Sequence, residues 1–206
     1  MTGTKVVKLN LENGGFQEGL PSLKKNAVVE AVAIFMQAEY SGADTYYDKV
    51  LAETAGLDMK PQEIQETLEM LEKGYGHEEH FPVRAGSLLT ALMQNSSQQE
   101  FSIKPKTPLD FLGYRLHDGK KITVEGDVGG YLGREMRNGT IHVNGNSGNH
   151  TAAGMGGGTI EVDGDAGEYT ASIMHGGVLK VNGKIRKLAD TFLNGEIWES
   201  GKRLPL

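Results

Sequence analysis

The sequence predicts a two-part α+β chain: a small N-terminal helical domain followed by a β-solenoid with 19-residue coils. Three observations predict it. Apolar residues recur at a helical 3.6-residue period through the first hundred positions. Past residue 108 that pattern gives way to tandem copies of a 19-residue unit. Glycine, 29 of 206 residues, is concentrated in those copies without the proline or serine bias of a linker.

Taken in chain order, residues 1–21 read as an N-terminal extension and 22–98 as the helical domain. Leu23, Ala27, Ala31, Ile34, Phe35 and Ala38 form one apolar stripe, widened by Val28, Val32 and Met36 and stopped by Ser41-Gly42. Tyr47, Val50, Leu51 and Thr54 predict a second helix ending at Gly56. Ile64, Leu68 and Leu71 predict a third, opened by Pro61, faced with Glu63, Glu66 and Glu69, and closed by Gly74. A fourth is expected within VRAGSLLTALMQN. The stretch SSQQEFSIKPKTP, with its glutamines and prolines, is the expected boundary, and 99–108 reads as a linker.

The second half repeats as KITVEGDVGGYLGREMRNG, TIHVNGNSGNHTAAGMGGG, TIEVDGDAGEYTASIMHGG and VLKVNGKIRKLADTFLNGE, from Lys121, Thr140, Thr159 and Val178. Positions two and four are Ile122 and Val124, Ile141 and Val143, Ile160 and Val162, Leu179 and Val181. A spacing of two puts each pair on one face of a short strand. Met136, Met155, Met174 and Leu193 fill position sixteen, and Gly126, Gly145, Gly164 and Gly183 fill position six. Stacked coils would bury the Ile, Val and Met positions in one column, with glycine at the turns. Leu116 and Ile197 extend the pattern at either end. A nucleotide-binding loop is excluded. The residue three beyond Gly154-Met155-Gly156 is Thr159, not glycine, and Gly183-Lys184 leads into Ile185.

The run G-x-x-G-x-x-x-G-x-x-M-x-x-G-x-I-x-V passes through Gly126, Gly129, Gly133, Met136, Gly139, Ile141 and Val143. It resembles the GXGXG-motif domain shared by the C-type subunit of formylmethanofuran dehydrogenases and the C-terminal domain of the glutamate synthase large subunit. Ala152 and Ala171 depart from the third glycine. The resemblance covers 109–206 and implies that this part is a right-handed β-helix. It further implies a non-catalytic structural or assembly subunit of an oxidoreductase complex, with catalytic subunits as protein partners. No catalytic, cofactor-binding or metal residue comes with the motif, so none is assigned and no cofactor is expected.

Composition narrows the chemistry. The chain has no cysteine, which removes thiolate nucleophiles, disulfides and cysteine-ligated metals. A net charge of −6 argues against nucleic acid, although the last 29 residues are locally basic, with Lys180, Lys184, Arg186, Lys187, Lys202 and Arg203. No secretory leader or membrane-length apolar run is evident, so the expected place is the cytoplasm, away from membranes. A second reading is a free-standing binding or metal-dependent protein with its site in the helical domain. Its candidates are His77 and His80, whose H-x-x-H spacing could share a metal with Glu78 or Glu79, but a solvated loop explains them more simply. The pairs Glu125/Asp127 and Asp163/Asp165 read as exposed turn carboxylates. A further copy of the chain is a possible cover for the open coil end.

Overall fold

The computed structural model describes residues 26–205 in full, together with the backbone of β1 (Val7–Asn10) and β2 (Gly15–Glu18), which pair antiparallel. Leu23 and most of the 1–21 extension lie outside the described residues. Four helices follow. In α1 (Ala27–Gln37), the side chain of Asn26 accepts from the Val28 N–H and caps the first turn, while Val28, Ala31, Val32 and Phe35 face inward. Tyr46, Tyr47 and Val50 are the buried face of α2 (Ala43–Glu53). The Lys60 N–H donates to Glu63 at the start of α3 (Pro61–Tyr75), which continues through Gly74 rather than closing there. Almost all of α4 (Phe81–Asn95) is buried, because the other helices and the first coil surround it.

The second half is a solenoid of about five turns. Six parallel strands stack in chain order: β3 (Glu100–Ile103), β4 (Lys121–Glu125), β5 (Thr140–Asn144), β6 (Thr159–Val162), β7 (His175–Val181) and β8 (Asn194–Glu199). A short β9 (Lys202–Arg203) runs antiparallel to β8. Lys121, Thr140, Thr159 and Val178 are register partners, as the 19-residue unit requires. Phe101, Ile122, Ile141, Ile160, Leu179 and Ile197 form one inward column, with a second running from Ile103 through the four valines.

Two expectations are corrected. The 99–108 segment is not a linker, because it carries β3, whose Phe101 and Ile103 begin both columns. Glu100 pairs with Lys121 across 21 residues rather than 19, so a search at the fixed period passes over it. Leu193, assigned to the inward methionine column, is 69% exposed. Each methionine extends into the next coil: a Cβ at Gly158, Gly177 or Gly195 would stand 2.6, 2.6 and 2.8 Å from Cε of Met136, Met155 and Met174. Among the described residues no coil lies over Leu193, and the last one is a residue short, pairing Val178 with Glu196.

Three of the glycines at position six, Gly145, Gly164 and Gly183, have a more specific job than turning the chain. A Cβ on Gly145 would stand 2.5 Å from the carbonyl of Gly126, and one on Gly183 would stand 2.6 Å from the carbonyl of Gly164. Coils approach there to a distance that any side chain would block.

Helices and coils share one hydrophobic core. The helical side chains also satisfy the backbone of the first coil. Gln65 accepts from the Lys104 N–H, Glu72 from those of Lys106 and Thr107, Thr90 from Gly113, and Gln94 from His117, at 2.6–3.1 Å. An open coil end would leave these donors without protein partners, and the helices close it.

Candidate functional site

The loop of His77 and His80 follows from the turn between α3 and α4. Both imidazoles are exposed, but they have separate settings: His80 stands at the N-cap of α4, and its ring lies 4.6 Å from that of Tyr40. Glu78 is held by Arg84 at 2.8 Å, and the Arg84 guanidinium, which also donates to the Phe35 carbonyl, covers the Phe35 ring at 4.1 Å. Among the described residues, no three histidine, aspartate or glutamate side chains gather as a metal site. Around Arg84 and Arg115 the helical core holds two phenols, Tyr46 and Tyr47, each pushed up to about 12 mainly by burial.

The acidic turn pairs tie successive coils together. Asp127 accepts from the backbone and side-chain N–H groups of Asn146, Asn146 from the Asp165 N–H, and Asp165 from the Lys184 N–H, all at 2.7–3.0 Å. Asn144 bonds Glu125, and Asn182 bonds Asp163. Asparagine alternates with aspartate down this edge, so no two like charges face one another across neighbouring coils. The edge is a set of coil-to-coil ties that uses its carboxylates internally.

A third set of side chains forms a surface. The strands present Thr123, His142, Glu161, Lys180 and Trp198 outward as one aligned row. Along another corner, Phe111, Tyr131, His150 and Tyr169 stack ring over ring, with centroids 4.6, 4.6 and 5.2 Å apart. All four residues hold φ between 57 and 60°, a left-handed conformation that fixes each ring against its neighbour. The free face of Tyr169 is covered by the Lys187 ammonium at 5.0 Å. Because the faces are covered, this ladder offers its edges, which suits a flat protein contact rather than a ring-shaped ligand. Sequence reading missed it, although its signal was available: Tyr131, His150 and Tyr169 all stand at position eleven of the repeat.

An ionic band joins this corner to α2. Arg115 contacts Asp48 and Glu135, both at 3.0 Å, and Arg134 contacts Asp44 at 3.1 Å and Glu135 at 3.3 Å. The buried Tyr114 phenol donates to Asp44 at 2.8 Å; burial and that bond raise it well above its ordinary range. Beneath the helices, Lys120 donates to the Ser96 and Gln98 carbonyls, and burial pulls its ammonium down. These groups clasp helices to coils, and each is already engaged.

At the far end of the column the last strand is only partly covered. Phe192, Leu193, Asn194, Gly195, Arg203 and Leu204 line an open groove there. No helix among the described residues is long and apolar enough to cross a membrane. No protein-family model matches the chain, and neither the curated proteins nor the solved structures compared with it give a match.

Proposed function

We propose that the chain is a non-catalytic structural or assembly subunit of an oxidoreductase complex, built on a right-handed β-helix of the GXGXG kind found in the C-type subunit of formylmethanofuran dehydrogenase and in the glutamate synthase large subunit. The observation that carries this reading is the register of the column. Six strands stacked at about 4.8 Å hold aligned rows of outward side chains over about 24 Å. Such a surface loses little freedom when a partner docks, and pre-organisation is what makes a large flat contact favourable. The acidic turns and the ionic band support it as well, since their charged groups hold the scaffold together. A stable assembly would bury about 1,200–2,000 Å² or more in total.

The test is affinity capture of the tagged chain from its native cells, with co-purifying proteins identified by mass. Recovery of a glutaminase, flavin or pterin enzyme component supports the reading. A chain recovered alone that turns over a small substrate, with activity lost in a His77→Ala/His80→Ala variant, would replace it with a site in the helical domain.

A further inference from the structure

The two ends of this molecule are unlike in charge as well as in structure. Residues 26–95, the helical cap, carry twelve acidic and four basic residues, a net −8, with Glu39, Glu53, Glu66, Glu69 and Glu79 exposed. Residues 178–206, the last coil and tail, carry six basic and three acidic residues, a net +3, although the whole chain is −6. Lys184, Arg186, Lys187, Lys202 and Arg203 are all exposed. The basic end is also the one whose strand edge is incomplete. Only Trp198 and Glu199 of β8 pair with β9, and Leu204 donates to the Ile197 carbonyl, so the start of the strand, Asn194 and Gly195, borders the open groove. Leu193 at 69% and Ile173 at 54% exposure are the two most exposed large apolar side chains among the described residues; Leu193 lines the groove, and Ile173 lies one coil back, its N–H donating to Thr191 of the last coil.

We propose that the open, basic end of the column docks on the acidic helical cap of a second copy of this chain, head to tail. Charge decides the orientation. Two basic ends facing each other would repel, as would two acidic caps, whereas cap against column end brings exposed carboxylates such as Glu39, Glu53, Glu66 and Glu79 to a column end of net +3. Docking would also cover Leu193, Ile173 and the free strand edge, which an isolated chain leaves to water. A head-to-tail contact leaves one cap and one column end free after every addition, so the association has no built-in stop unless a ring closes.

Sedimentation of the purified full chain tests this. At about 0.01 M salt, where charges are felt over about 30 Å, the average mass should rise with concentration past twice the 22.3 kDa of one chain. At about 1 M, with screening near 3 Å, it should return to one chain. Lys184→Glu/Arg186→Glu/Lys202→Glu makes both ends acidic, and Glu53→Lys/Glu66→Lys/Glu69→Lys removes most of the cap's negative charge. Every substituted side chain is exposed, so circular dichroism should report a retained fold. Each variant alone should sediment as one chain, and a mixture of the two should contain dimers. A chain that stays at 22.3 kDa at low salt and millimolar concentration overturns the proposal. So does a dimer insensitive to salt, association retained by either variant, or a mixture that fails to associate.

Discussion

Met155 and Leu193 hold the same place in the repeat, two coils apart, yet one has a coil above it and the other does not. Truncating Met155, which is fully buried, to Ala is expected to cost about 2–5 kcal/mol. Leu193→Ala should stay within about 0.5 kcal/mol, as exposed positions do. Urea midpoints of the two variants check the pair, and comparable losses would place Leu193 back in the column. Tyr46 and Tyr47 make a second test. A phenol ordinarily near 10 and held at about 12 in the fold favours folding fully below pH 10, and that contribution is lost as pH rises from 10 to 12. Two units correspond to about 2–3 kcal/mol for each phenol. The urea midpoint should therefore fall across this window, and Tyr46→Phe should make the fall shallower. An unchanged slope in that variant would show that Tyr46 titrates normally in the fold.

At the scale of elements, two helical glycines that look alike in sequence have opposite consequences. Gly74 lies in α3 with open space where a Cβ would stand, so Gly74→Ala should stabilise by about 0.4–1 kcal/mol through a less flexible unfolded chain. Gly86 lies in α4 where a Cβ would collide with the Asp110 carbonyl oxygen, so Gly86→Ala must push the helix off the first coil, at about 1–3 kcal/mol. Thermal melts of both variants decide it. The helices were legible because burial on one face imposes the 3.6-residue period, and β4 to β7 were legible because identical coils impose a fixed one. What was not legible lies where the two parts meet. Thr90, Gln94, Gln65 and Glu72 look like ordinary helix residues, and nothing local in the sequence says that their side chains complete the hydrogen bonding of a coil. β3 escaped for a related reason: its coil is two residues longer than the repeat, and the strand packs against α3. The candidate surface was half legible. The outward row of His142, Glu161 and Lys180 follows from strand alternation, whereas the aromatic corner depends on left-handed residues that no pattern of polarity announces.

For the whole molecule, the shared core makes helices and coils one cooperative unit. Trp198, the sole tryptophan, sits in β8 at the end farthest along the chain from the helices, so its fluorescence and the helical signal at 222 nm report opposite ends. Their urea transitions should coincide. A tryptophan transition at lower urea would mean that the column frays from its open end before the cap yields. Removing residues 1–98 should uncover the donors that the helices satisfy, and the remaining coils should aggregate.

The constant register of β4 to β7 also makes length a counted quantity. A duplicated stretch of 19 codons, for instance 140–158, adds one coil, with every inward, outward and turn position falling on its own kind. The distance between cap and column end is therefore set in whole steps of about 4.8 Å, like graduations on a ruler, and each added or deleted unit would move the two ends apart or together without redesigning either.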